Sequence, residues 1–146
     1  MKSKFIDAYM DVAQRFAQLS HAKRLQVGAI IVKDDRIISI GYNGMPTGWD
    51  NCCEHTIQHH ELGTCTTVSK AEVLHAETNA VAKLAKSGES GLGATMFVTH
   101  APCIDCAKLV YQSGIATVYY KNEYRSTQGV EFLKKSQIEV IHYSSP

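Results

Sequence analysis

Two short motifs hold the residue types that do metal and proton chemistry: His75-Ala76-Glu77 and, further along, Pro102-Cys103-Ile104-Asp105-Cys106. Two cysteines at this spacing on a first helical turn can hold one metal ion, and a histidine from a neighbouring helix start can supply a third ligand. One imidazole and two thiolates suit zinc, and three protein ligands rather than four leave a coordination position open to water. Glu77 follows closely on His75, near such a metal without having to bind it. Zinc lowers the pKa of bound water from about 15.7 to about 7, and a nearby carboxylate can take up that proton and pass it to a substrate nitrogen. The pattern therefore points to a catalytic metal. Two other readings remain open here: a Cys-x-x-Cys also serves as a redox pair, and a closed zinc site is purely structural. A structural site needs a fourth ligand, and none is obvious beside Cys103 and Cys106.

For the motifs to meet, both must open helices at one end of a sheet. Residues 3–19 place Phe5, Ile6, Tyr9, Met10, Val12, Ala13, Phe16 and Ala17 at helical spacing, with Ser3 as the expected cap. Residues 27–33 and 36–42 are β-branched runs joined at Asp34-Asp35, a hairpin signature. Helices are predicted over 77–87, stopped by Gly88, over 103–113, between Pro102 and Gly114, and over 127–136. Strands are predicted over 95–100, 115–121 and 138–143. This α-β-β-α-β-α-β-α-β order predicts an α/β fold, a three-layer α/β/α sandwich around a central five-stranded mixed sheet. His75 and Cys103 would then stand where helix N-termini aim N–H groups and positive dipole ends into a crevice. Residues 43–70 are rich in Gly, Thr, Asn, His and Cys and carry no long periodic apolar stretch. A connection that long is expected to be functional or folded locally.

Length and composition narrow the field further. The 146 residues fit one domain, spanning 1–146, with enough chain to bury a core. Fifteen Lys and Arg against fourteen Asp and Glu give a net charge of +1, with no basic stripe. That balance argues against a nucleic-acid partner and for a small ligand. No apolar run approaches a membrane span, and the N-terminal stretch is amphipathic rather than a signal-peptide core, so no membrane partner and a cytoplasmic location are expected. The five cysteines are an odd count, which in such a setting reads as metal or redox chemistry before a disulfide framework.

The His-x-Glu and Pro-Cys-x-x-Cys pair is the signature of the zinc-dependent nucleobase deaminases, in which water attacks an amidine carbon and ammonia leaves. The agreement extends to Val27-Gly28-Ala29-Ile30-Ile31-Val32, Gly41-Tyr42-Asn43-Gly44-Met45-Pro46, Thr78-Asn79-Ala80, Met96-Phe97-Val98-Thr99 and Ala107-Lys108, in order. Through these residues the sequence resembles the cytidine deaminase superfamily, and more closely its deoxycytidylate deaminases, over nearly the whole chain. The resemblance implies hydrolysis of dCMP to dUMP and ammonia, supplying dUMP for thymidylate synthesis. Zinc would be held by His75, Cys103 and Cys106, with Glu77 as proton carrier. It further implies that Asn43 binds the sugar 3′-hydroxyl and that the Ala76 N–H binds the base carbonyl.

A monophosphate needs cationic or hydroxyl partners. Lys23 and Arg24 are candidates by charge. Tyr124, beside Arg125, matches a tyrosine that the family uses near the phosphate. Free cytidine or deoxycytidine, and cytosine or adenine within a nucleic acid, remain alternative substrates. The family also implies a homo-oligomer, typically a hexamer, activated by dCTP and inhibited by dTTP with Mg2+ accompanying the triphosphate. The effector segment would include Tyr42, Asn43 and Gly44. Finally, Cys52, Cys53, His55, His59, His60 and Cys65 offer donors for a second zinc, although their spacing follows no regular ligand pattern. Cys52 and Cys53 could equally pack as small hydrophobes.

Overall fold

Asp34 and Asp35, both at positive φ (50° and 58°), reverse the chain between β1 (Gly28–Lys33) and β2 (Arg36–Tyr42). Two successive residues in that region make a primed turn whose twist suits a hairpin. The computed structural model describes all 146 residues. Before the hairpin comes α1 (Ser3–Ala17); after it come β3 (Glu54–His59), β4 (Thr64–Ser69), α2 (Ala76–Ala85), β5 (Thr95–His100), α3 (Ile104–Gln112), β6 (Thr117–Asn122), α4 (Gln128–Lys135) and β7 (Glu139–His142). The central sheet has five strands in the order β2-β1-β5-β6-β7. β1 runs antiparallel to both β2 and β5, while β5, β6 and β7 are mutually parallel. The parallel half follows from the helical crossovers α3 and α4, which return the chain to the same sheet end before each new strand.

Strand alternation divides the core in two. Ala29, Ile31, Met96, Val98 and Val118 point to a face covered by α2, α3 and α4 through Ala76, Ala80, Ala107, Val110, Val130 and Leu133. Ile30, Val32 and Phe97 point to the other face, where α1 packs Met10 and Ala13. Phe97 there stacks on Tyr119 with centroids 4.9 Å apart. The α/β/α sandwich expected from the sequence is thus present, with its helices shared unequally between the faces. Close approach is secured by glycine: a Cβ on Gly41 would collide with the carbonyl of Ala76 and the amide of Ala80, so only glycine lets the start of α2 lie against β2.

Two features differ from expectation. Within residues 43–70 the chain forms a second, two-stranded sheet, β3 paired antiparallel with β4 from Glu54↔Ser69 to His59↔Thr64. Most of its residues are exposed on both faces, so no apolar alternation marks it; Thr, Ile and Val supply β-propensity alone. The start of α1 is also shifted. Lys2 occupies the cap position without a side-chain cap bond, and Ser3 lies inside the first turn, where its hydroxyl does not cap. No helix is long and apolar enough to cross a membrane.

Candidate active site

His75 and Cys103 are the N-cap residues of α2 and α3, and both have extended backbones, with ψ of 154° and 168°. Neither side chain caps its own helix. Both instead turn into the space between the helix starts, where Cys106 meets them from the first turn of α3. The Nδ1 atom of His75 lies 3.2 Å from the Cys106 Sγ and 3.7 Å from the Cys103 Sγ. All three donor atoms lie within 4.8 Å of one another, and they form the one group of His, Cys, Asp or Glu side chains placed to hold a metal. Ligands about 2.0–2.3 Å from a tetrahedral zinc stand roughly 3.5 Å apart, so the donors fit the ion with little movement.

The protonation pattern fits the same use. Hydrogen bonds from Cys106 and His75 pull the Cys103 thiol down to about 4, which makes it a thiolate at neutral pH. Cys106 is pushed up, first because its thiol donates to Cys103 and second because it is buried. His75 is raised by its hydrogen bond to Cys103, against the effect of burial. Glu77, 5% exposed, is raised chiefly by burial, while its own backbone N–H and Cys106 partly stabilise the charged form. A carboxyl shifted upward in this way takes up and holds a proton closer to neutral pH than an ordinary glutamate would, which suits it to carry one.

The supporting bonds are backbone-directed. Asn79 Nδ2 donates to the Tyr42 carbonyl at 2.8 Å, tying α2 to the end of β2. Asn122 Nδ2 donates to the Thr99 carbonyl at 2.7 Å and the Ala101 N–H to the Asn122 carbonyl at 2.8 Å, fixing the segment that leads into Pro102. The sequence gives no hint of either bond, because a polar residue in a helix or at a strand end looks like surface.

The metal group opens into a cavity of about 720 Å³. Asn43, His75, Ala76, Glu77 and Cys103 are among the residues that line it. Arg24, Ser69, Lys70, Glu123, Tyr124 and Arg125 also line it, bringing three cations and a phenol into the same space. Arg125 sits over the Tyr124 ring, 5.7 Å from its centroid. Lys23 does not line the cavity; its side chain is exposed, and its backbone N–H donates to Glu54 at 2.7 Å. Lys70 and Ser69 carried no sequence signal, since Ser69 ends and Lys70 follows an exposed strand that itself went unseen. His100, whose pKa burial lowers, lines the wall as well.

Asn43 has a double engagement. Its Oδ1 accepts from the Val27 N–H at 2.8 Å and its Nδ2 donates to the Leu25 carbonyl at 2.7 Å, so the side chain holds the loop before β1 while facing the cavity. Tyr42 and Gly44 lie outside the lining. Gly44 exchanges two backbone bonds, of 3.0 and 2.8 Å, with Leu74, the residue before His75. Among the candidates for a second metal, Cys53 is buried, Cys52 and Cys65 are exposed, and no three of the six come together as ligands. Cys53 thus packs as a small apolar group.

Residues 3–122 match the family described as the cytidine and deoxycytidylate deaminase zinc-binding region. The chain is 40% identical over 121 residues to ComE operon protein 2 of Bacillus subtilis, covering 81% of this chain but 59% of that protein. It is 33% identical over 168 residues to the deoxycytidylate deaminase of Enterobacteria phage T4, covering 91% of this chain and 86% of that one. Among solved structures, the dCMP deaminase of cyanophage S-TIM5 in complex with dCMP and dUMP superposes with a TM-score of 0.86 at 44% identity, over 98% of this chain and 99% of that chain.

Proposed function

Because the chain belongs to the cytidine and deoxycytidylate deaminase family, we propose that it catalyses the zinc-dependent hydrolysis of dCMP to dUMP and ammonia, supplying dUMP for thymidylate synthesis. One observation carries the substrate reading: a single cavity joins the metal group and buried Glu77 to Arg24, Lys70 and Arg125, which suits a base at one end and a phosphate at the other. The resemblance to enzymes named for deoxycytidylate supports the same choice.

His75, Cys103 and Cys106 would hold the zinc, which when bound supplies a Lewis acid that makes water acidic enough to lose a proton near neutral pH. Glu77 accepts that proton on its carboxylate, delivers it to the ring nitrogen of the base, and carries a further proton to the departing amine. The Ala76 N–H belongs to the first turn of α2, where amides lack intrahelical partners, and is free to bind the base carbonyl. Asn43 offers its remaining donor and acceptor capacity to the sugar 3′-hydroxyl. Arg24, Lys70, Arg125 and the Tyr124 hydroxyl neutralise and orient the phosphate.

Regulation is part of this reading. The Gly44–Leu74 bonds and the Asn79–Tyr42 bond link the 42–44 segment to the helix that carries His75 and Glu77. A triphosphate that binds two arrangements of this segment unequally would shift turnover. We assign activation to dCTP and inhibition to dTTP, each with Mg2+, in a homohexamer.

The decisive experiment is a substrate panel of dCMP, CMP, deoxycytidine, cytosine and a cytosine-containing oligonucleotide, run on protein of measured zinc content. dCMP should be turned over fastest and zinc should reach at least one per chain. Fastest turnover of the oligonucleotide or of deoxycytidine would overturn the substrate choice. Saturation curves with each triphosphate and Mg2+, beside light-scattering mass, test regulation and assembly; curves unmoved by either effector, from a monomer, would overturn both.

A further inference from the structure

Glu54 is 8% exposed, yet no cationic side chain is paired with it. Its Oε1 accepts two consecutive backbone N–H groups, from Lys23 at 2.7 Å and from Arg24 at 3.2 Å. A buried carboxylate is expensive unless such donors compensate it, and one that accepts successive amides fixes the peptide plane between them. The loop so fixed is the segment between α1 and β1 that carries Arg24 into the cavity.

The same short base of the β3–β4 hairpin makes further contacts with that end of the cavity. Arg24 Nη1 donates to Ser69 Oγ at 3.4 Å, across the first β3–β4 pair from Glu54. The Lys70 N–H donates to the Cys53 carbonyl at 2.8 Å, which holds a second cavity cation immediately beyond that pair. The opposite side of the loop is fastened by Asn43, which bonds Leu25 and Val27, and by Ser20, whose carbonyl accepts from Gln26. Glu54 therefore supplies the one side-chain clamp on the amides of residues 23 and 24. It does not itself line the cavity.

We propose that Glu54 is a positioning residue for the phosphate end of the active site: by clamping the backbone of Lys23 and Arg24 to the hairpin it aims the Arg24 guanidinium, and so sets the preference for a nucleoside monophosphate over the free nucleoside. The inference rests on the dCMP reading of the cavity. It also gives the hairpin a function, as the wall that holds the cationic end while the helix starts hold the metal end. A carboxylate suits the task because Gln would offer one weaker, uncharged acceptor and Ala none.

The test is steady-state kinetics of zinc-loaded wild type, Glu54→Gln, Glu54→Ala, Arg24→Ala and the Arg24→Ala double variants, each on dCMP and on deoxycytidine. For Glu54→Ala the KM for dCMP should rise about tenfold or more, the range expected for loss of a charge-assisted contact, with kcat changing much less. The kcat/KM ratio of dCMP to deoxycytidine should fall by the same factor. Glu54→Gln should fall between wild type and Glu54→Ala. In the Arg24→Ala background either Glu54 change should have little further effect on that ratio, because the group it aims is gone. Equal losses on both substrates, an unchanged KM for dCMP, or full additivity with Arg24→Ala would each overturn the inference. Should Glu54→Ala prove insoluble, the coupling between Glu54→Gln and Arg24→Ala decides it by the same criterion. Absence of wild-type turnover on dCMP would overturn the functional reading and this inference together, whereas robust dCMP turnover with an unchanged ratio in the Glu54 variants would overturn the inference alone.

Discussion

The metal-binding and the cationic parts of the cavity lining are built on different principles. At the metal end, His75 and Cys103 cap helices that pack on the central sheet, Ala76, Ala107 and Val110 are fully buried, and Gly41 admits the α2 backbone against β2. At the cationic end, Arg24, Lys70 and Arg125 stand on connections, with Arg24 and Arg125 exposed. A reacting atom must be held within a fraction of an ångström of its proton carrier, so chemistry belongs on the packed scaffold. A phosphate tolerates looser placement because several cations share its charge, and clamped loops suffice for that.

The largest effects should therefore come from the metal end. Replacing His75 or Cys103 with Ala, or stripping the metal with a chelator, should abolish measurable turnover, and zinc should restore it to the stripped wild type but not to the variants. Metal loading should also depend on pH. Cys103 is already a thiolate at neutral pH, with its pKa near 4, whereas Cys106 keeps its proton. Binding must expel that proton, so apparent affinity falls as pH falls, about tenfold per unit for each proton released. Competition against a zinc-binding dye at pH 8 and pH 6.5 measures it; affinity independent of pH would show that the donors are not the groups displaced.

Next in size is Glu77→Gln, which keeps the shape of the side chain and removes its ability to carry a proton. Turnover should drop by about 10²–10⁴-fold or more, since positioned proton transfer is worth that much and the same carboxyl acts repeatedly. Zinc content should stay that of wild type, because Glu77 is no ligand. Loss of zinc in parallel with activity would instead make Glu77 part of the metal site and blur the distinction between the residues that bind and the one that moves protons.

How much of this could be read from the sequence follows the same division. The grouping of His75, Cys103 and Cys106 was legible because ligand chemistry demands particular residue types at fixed helical offsets, and the sheet was legible because its strands bury continuous runs such as Gly28–Lys33. The β3–β4 hairpin was not, since it is stabilised by backbone pairing and Thr-rich propensity with hardly any buried face. With it went Ser69, Lys70 and the buried Glu54, each of which looks like an ordinary solvated residue until the fold brings Ser69 and Lys70 to the cavity and Glu54 against the loop of Lys23 and Arg24. Asn43 was legible as a residue near the metal and does line the cavity, but its bonds to Leu25 and Val27 were not legible, because they cross from one loop to another.

At the cationic end the expected changes are smaller and selective. Arg24→Ala should lower the kcat/KM ratio of dCMP to deoxycytidine by about ten- to a hundredfold, the worth of one charge-assisted contact. Lys70 and Arg125 remain to hold part of the phosphate charge, so the loss should not be complete. A fall in turnover of both substrates alike would mean that Arg24 shapes the chemical step, and the two ends would no longer be separable.

The smallest effect is also the sharpest comparison, because Lys23 and Arg24 are neighbours of like charge that sequence alone treats as equals. Folding separates them. Arg24 lines the cavity, whereas the Lys23 side chain stands in solvent and only its backbone N–H is used, as a donor to Glu54. Lys23→Ala removes none of that backbone bond and takes away one exposed charge whose attraction for the phosphate is screened over about a Debye length, roughly 8 Å at physiological salt. The variant should therefore keep kcat and the KM for dCMP within about twofold of wild type at that salt, with a modest rise in KM emerging only at low ionic strength, as expected of long-range steering. Kinetics of Lys23→Ala and Arg24→Ala at two salt concentrations check this. A Lys23→Ala loss as large as that of Arg24→Ala, and insensitive to salt, would place the lysine in direct contact with the phosphate and require the loop to rearrange when substrate binds.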